Sequence, residues 1–218
     1  MDFNIARSNM AQQQLRPWGV LDPQLLEIFS TIPREQFVPD NFKQLACSEA
    51  FLPIGNNQVM LPPNIIARML QPLQLRKDNK VLQIGTGTGY ITALLCQLAK
   101  TVTAIEIIPA LAKQTTQNLK YLNLYNVSVQ VGDGTQGSLT KDPSYDAIVL
   151  TGSLPFLPKI LGEKLATHGK LFAVLGKPPS MSALLLTRTD KQRWEETILF
   201  ETELPPLFYA HKQTGFQF

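Results

Sequence analysis

The sequence predicts an α/β fold with a mainly parallel sheet, an antiparallel pair of strands at one edge and a helical N-terminal extension. Three observations carry this reading. Helical periodicity dominates before residue 78, short apolar runs alternate with helical segments from Lys80 onward, and the first of those runs ends in a cluster of glycines.

The extension comes first. Asp22 followed by Pro23 pairs an N-cap with a first-turn proline, and Leu25, Leu26, Ile28 and Phe29 form a helical apolar face that Pro33 ends. The stretch from Phe51 to Pro63 holds a Gly-Asn-Asn turn and several prolines, which predicts an ordered loop rather than a strand or helix. Asn64 is then placed to cap a helix through Ile65, Ile66, Met69 and Leu70.

Five runs follow, Val81–Ile84, Val102–Ile105, Val127–Val131, Ala147–Leu150 and Leu171–Leu175, and their alternation with helical segments predicts parallel strands joined by crossover helices. Leu184–Thr187 and Thr197–Phe200, around a turn at Lys191-Gln192-Arg193, read as the antiparallel edge pair. Residues 204–218 are too rich in proline, glycine and aromatics to assign. The expected organisation is a helical extension with a loop over residues 1–78 and an α/β core with a C-terminal tail over residues 79–218.

Composition narrows the function. With 44% apolar and 17% charged residues, the 218-residue chain is an ordinary globular sequence. Its net charge of +3 is scattered, without the basic run that would follow a phosphate backbone, so nucleic acid is not expected as a partner. No apolar stretch reads as a signal peptide or membrane span, which makes the cytoplasm the expected compartment and a membrane an unexpected partner. Cys47 and Cys96 lack zinc-site spacing, so no metal is expected and both read as packed thiols. His168, in a Thr-His-Gly turn before a strand, and His211, in the tail, have no partner visible in the sequence.

The chemistry concentrates at Val81–Tyr90. Gly85, Gly87 and Gly89, interleaved with Thr86 and Thr88, fall where a buried strand turns into a helix and let backbone approach a ligand. Tyr90 stands where a dinucleotide fingerprint places its third glycine, so the motif suits a nucleoside without a pyrophosphate better than a nicotinamide cofactor. Glu106, one helix and one strand later, is placed to accept from both hydroxyls of a ribose. Asp133, between Gly132 and Gly134, is placed to accept from an adenine amino group, with the glycines leaving room for a ring. All three points lie at carboxyl ends of expected strands, the rim where open α/β sheets bind ligands.

These residues and their flanks resemble the protein-L-isoaspartate O-methyltransferase family. The likeness covers nearly the whole chain and includes Met10–Leu15, Gly19–Asp22, Ile32-Pro33-Arg34-Glu35-Gln36-Phe37-Val38-Pro39, Leu52-Pro53-Ile54-Gly55, Tyr145–Ile148 and Leu165–Gly169. It implies a Rossmann-like fold that binds S-adenosylmethionine (AdoMet) and methylates the carboxylate of damaged aspartyl residues in proteins or peptides. It also makes Phe51–Leu61 the substrate loop, with Asn57, Gln58, Val59 and Leu61 as candidate residues.

The loop departs from the family pattern. Where the family carries a threonine and a serine, this chain has Val59 and Leu61, and Cys47, Glu49 and Gln83 replace a tyrosine, an aspartate and an acidic residue. Leu204-Pro205-Pro206 and Thr214-Gly215-Phe216 resemble a divergent bacterial branch. Two alternatives therefore stay open: a different acceptor, including a small molecule, or a non-catalytic AdoMet-binding sensor or adaptor. No Ser-His-Asp or paired-carboxylate arrangement is visible, and none is required, because a carboxylate acceptor is already ionised at neutral pH. The sequence assigns no catalytic residue and no oligomeric state.

Overall fold

The computed structural model describes residues 1–136, 144–190 and 193–208. The expected turn residues Lys191 and Gln192, His211, and Thr214 to Phe216 lie outside them.

The extension opens with α1 (Phe3–Asn9), capped by the Asp2 side chain, followed by a wider helical turn over Met10–Leu15. Helix α2 (Pro23–Thr31) starts as expected: the Asp22 carboxylate accepts from the amides of Gln24 (2.9 Å) and Leu25 (3.3 Å), and the helix ends before Pro33. Two 3-10 segments follow, at Arg34–Phe37 and Asp40–Leu45.

Two local expectations for the extension are corrected. The stretch expected as a loop forms an antiparallel hairpin of β1 (Leu52–Gly55) and β2 (Gln58–Met60), with Leu52 opposite Met60 and Gly55 opposite Gln58. Asn56 and Asn57 make its two-residue turn with φ of 51° and 56°. Asparagine tolerates the left-handed conformation such a turn demands, so the two asparagines promote pairing rather than oppose it. The second correction concerns α3 (Pro63–Leu70), where Pro63 occupies the first turn and Asn64 lies inside the helix instead of capping it.

The core sheet contains β3 (Lys80–Ile84), β4 (Thr101–Glu106), β5 (Val127–Val131), β6 (Tyr145–Leu154), β7 (Leu165–Lys177), β8 (Ser180–Arg188) and β9 (Trp194–Glu201). Its order among the described residues is β5-β4-β3-β6-β7-β8-β9. The first five strands are parallel, while β8 and β9 run antiparallel at one edge. His168 does not precede its strand: it sits inside β7 with φ of 65°, where pairing with β6 is irregular between Tyr145 and Ala147.

Helices α4 (Tyr90–Leu98), α5 (Pro109–Tyr121) and α6 (Lys159–Glu163) complete the crossovers. Side-chain alternation gives the sheet two buried faces. Leu82, Ile84, Ile105, Ile148 and Leu150 belong to one, with Leu161 of α6. Val81, Ala104, Val149 and Phe172 belong to the other, whose core continues into Met10, Phe29, Phe37, Ile66 and Met69 of the extension. The extension thus folds by covering a sheet face, and this brings its hairpin to the carboxyl rim.

Candidate active site

From β3 the chain proceeds outward through β4 to β5, then crosses to the other side of β3 to form β6. This reversal opens a crevice at the carboxyl ends of the strands. A cleft lies there, and Gly85, Gly87, Glu106, Asp133, Gly134 and Thr151 are among its lining residues.

The glycine turn is shaped by backbone. The amide of Gly85 donates to the Ile105 carbonyl (2.8 Å), and that of Gly89 donates to the Thr86 carbonyl (2.9 Å). Gly85 has a φ of 85°, and a β-carbon on it would lie 2.5 Å from Thr151 Oγ1. Gly87, at 57°, would bring a β-carbon to 3.0 Å from Ile54 Cδ1 of the hairpin. Gly85 excludes a side chain by conformation and by space, whereas Gly87 disfavours one mainly by conformation.

Glu106 secures this turn. Its Oε2 accepts from the amides of Thr86 (2.8 Å) and Gly87 (2.9 Å) and from Thr86 Oγ1 (3.2 Å), while Oε1 accepts from the Ile108 amide (3.0 Å). The residue is 5% exposed. Asp133 shapes the third corner: Oδ1 accepts from the amide (2.9 Å) and hydroxyl (2.6 Å) of Thr135, and Oδ2 accepts from Gln136 Nε2 (3.0 Å). A β-carbon on Gly134 would meet Ile84 side-chain atoms at 2.9 Å, so its lack of a side chain accommodates the core.

Thr88 faces away from the cleft shared by the two carboxylates and lines an adjoining hollow with Tyr90, Val59 and Leu61. Its hydroxyl donates to the Phe37 carbonyl (2.6 Å). Gln83 is fully buried under the turn, where Nε2 donates to the Gly85 carbonyl (2.9 Å) and Oε1 has no hydrogen-bond partner among the described residues.

The hairpin forms the opposite wall. Gln58, Val59 and Leu61 line the cleft, whereas Asn57 is exposed at the hairpin tip and does not. Gln58 Nε2 is directed to the carbonyls of Asn56 (3.5 Å) and Asn57 (3.2 Å). Burial pushes the Tyr90 phenol well above its usual pKa, despite the neighbouring Arg34, so it stays protonated at neutral pH.

Several lining residues were missed in the sequence. Ile107, Ile108 and Leu111 make an apolar shelf beyond Glu106, and Thr151 and Gly152 end the accessible part of β6. The carboxyl-rim rule that found Glu106 also points to Thr151. Pro205 and Leu207 arrive from the unassigned tail, and no sequence signal predicts them. Their path is fixed by the Ser153 amide donating to the Pro205 carbonyl (2.9 Å) and the Leu207 amide donating to the Ser153 carbonyl (3.0 Å).

The model of the Protein-L-isoaspartate(D-aspartate) O-methyltransferase (PCMT) family matches residues 6–207. The chain belongs to this family. It is an AdoMet-dependent O-methyltransferase, and the family acts on isoaspartyl residues in protein substrates. The chain is 39% identical to a Protein-L-isoaspartate O-methyltransferase of Trichlorobacter lovleyi over 188 residues, 86% of each chain. It is 42% identical to Protein-L-isoaspartate O-methyltransferase 1 of Rhodopseudomonas palustris, covering 86% of this chain and 76% of the relative. The fold also matches a solved Plasmodium falciparum structure described as a beta-aspartate methyltransferase in complex with S-adenosyl-L-homocysteine. That match has a TM-score of 0.79 at 18% identity and covers 92% of this chain and 97% of the other. Among the described residues, no helix of this PCMT-family chain is long and apolar enough to cross a membrane.

Proposed function

We propose that the cleft holds AdoMet and that the hairpin delivers a carboxylate of an isoaspartyl residue, in a protein or peptide, to its methyl group. The observation that carries this reading is the convergence of the glycine turn, Glu106 and Asp133 around one cleft whose opposite wall is the hairpin.

The residues present suit the cofactor. Gly85 provides a cradle that a β-carbon would fill, and the shelf of Ile107, Ile108 and Leu111 suits an aromatic ring. Glu106 Oε1 and Asp133 Oδ2 each accept one hydrogen bond here and have capacity for another, which fits a ribose hydroxyl and an adenine amino group. Gly85, Thr86, Gly87, Thr88, Gly89 and Gly134 supply the shape of the site rather than its charge. When bound, AdoMet supplies an electrophilic methyl group.

The chain's own part is to align and to exclude water. Val59 and Leu61 present apolar surface to the cleft, and Gln58 is the polar hairpin residue able to orient an acceptor. The same apolar pair favours a second reading, a small-molecule carboxylate as acceptor, because the hydroxyls expected from the family are absent. Family membership speaks against a sensor without chemistry.

Incubation with methyl-labelled AdoMet and an isoaspartyl peptide tests the proposal. A base-labile methyl ester on the peptide is expected. Tight binding of S-adenosylhomocysteine without any peptide ester, accompanied by ester on small carboxylates, would replace the first reading by the second.

A further inference from the structure

The Arg34–Phe37 turn touches both walls of the cleft from behind. Arg34 is fully buried, and its guanidinium forks between two carbonyls: Nε donates to Ala46 (2.6 Å) and Nη2 to Leu61 (2.6 Å), the residue at the end of the hairpin. It also lies 4.7 Å from the centroid of the Tyr90 ring. At the other end of the turn, the Phe37 carbonyl accepts from Thr88 Oγ1 (2.6 Å), and the Phe37 ring meets Tyr90 edge-on at 5.4 Å. One short turn thus grips the hairpin through Leu61 and the glycine turn through Thr88. The intervening Glu35 is anchored elsewhere, to Arg7 (2.5 Å).

A buried guanidinium is costly to keep without a carboxylate, and here its planar fork is used on backbone carbonyls. Leu61 lines both the cleft and the adjoining hollow, so the carbonyl that Arg34 holds belongs to a wall residue. We propose that the Arg34–Phe37 turn sets the spacing between hairpin and glycine turn, and that Arg34 is a positioning residue for methyl transfer. This rests on the proposed assignment of cofactor to the glycine turn and acceptor to the hairpin. In-line displacement depends steeply on alignment, and a misplacement of about 1 Å costs on the order of a hundredfold in rate.

The experiment compares the full chain with Arg34→Lys, Thr88→Val, Thr88→Ser and the double variant Arg34→Lys/Thr88→Val. Four quantities are measured: S-adenosylhomocysteine affinity by calorimetry, kcat and KM on an isoaspartyl peptide, thermal melting, and hydrogen exchange. Lysine keeps the charge but cannot fork, so Arg34→Lys is expected to lower kcat by about ten- to a hundredfold. Cofactor affinity should stay within about threefold, since the Gly85–Glu106 side is untouched, the ratio being read directly from the two dissociation constants. Thr88→Val should act in the same direction, and Thr88→Ser should restore kcat. The double variant should lose less than the product of the single losses, because either break already releases the turn from one wall.

An unchanged kcat per folded molecule in Arg34→Lys, or a kcat loss matched by an equal loss of cofactor affinity, overturns the inference. Should Arg34→Lys fail to fold, the Thr88 pair decides: serine no better than valine sinks it. A wild type that binds no S-adenosylhomocysteine, or forms no ester, instead defeats the proposed function. Hydrogen exchange then judges the turn alone: hairpin amides at 52–60 must exchange faster in both single variants, and unchanged exchange overturns the inference.

Discussion

The glycine turn at 85–89 and the hairpin at 52–60 face each other across one cleft, but they are held in different ways. The turn is fixed by nearby backbone and by a single carboxylate: Glu106 accepts two of its amides, and Gly85 has no room for a β-carbon. The hairpin is closed locally by a two-asparagine turn at its tip and held in place from a distance by Arg34, 27 positions from Leu61. The first wall therefore tolerates almost no substitution, while the second can change its side chains and keep its place. Two departures from the family pattern, Val59 and Leu61, fall on the second wall, while the one beside the first, Gln83, keeps a hydrogen bond to the Gly85 carbonyl.

The largest test breaks the first wall. Gly85→Val combines about 1–3 kcal/mol of overpacking with about 1–2 kcal/mol of left-handed strain, and should weaken S-adenosylhomocysteine binding by at least about a hundredfold in calorimetry. Glu106→Gln removes charge-assisted bonds to the Thr86 and Gly87 amides, each worth about 1.5–3 kcal/mol, and a fall in affinity of about ten- to a hundredfold is expected. Affinity equal to wild type in Glu106→Gln would mean that the turn holds itself.

The second wall should respond in the opposite sense. Val59→Thr with Leu61→Ser returns two hydroxyls to the cleft and should raise kcat/KM on an isoaspartyl peptide by about two- to tenfold, the worth of one net hydrogen bond, at unchanged cofactor affinity. Because Leu61 is also buried core, a stability loss of about 2–5 kcal/mol should accompany the gain in a denaturant titration. A drop in kcat/KM per folded molecule would show that the apolar wall is the adapted one.

The smallest effect is expected from the thiols. Burial pushes Cys96 up to about 12 and also raises Cys47, so little thiolate exists at pH 8. A thiol-reactive dye should label neither in the native protein and both after denaturation. Labelling of Cys47 alone would reveal an opening of the wall behind Arg34.

Legibility in the sequence follows the same division. Glycines interleaved at a strand end, an acidic residue at the next strand end and the parallel-strand alternation are local signals, and they pointed to β3, β4, Glu106 and Asp133. The hairpin was missed because its prolines and asparagines read as breakers, although Asn56 and Asn57 supply the turn that pairing needs. Asn57 is a site candidate in the sequence as a polar, hydrogen-bonding residue of the loop, and it lies at the exposed tip. Arg34 stood inside a recognised motif, yet its contact with Leu61 depends on a tertiary arrangement that no spacing encodes. Thr151 could have been found from the rim, whereas Pro205 and Leu207 could not.

Those last two residues give the molecule a built-in order of completion. Pro205 and Leu207 bridge to Ser153 at the end of β6 and line the same cleft as Gly85, so the pocket joins parts of the chain made early and late. On the ribosome, the glycine turn and the hairpin are synthesised long before the segment that finishes the enclosure. The pocket is whole only with residues 205–208 in place, so its enclosure depends on a segment more than a hundred positions from the glycine turn in sequence.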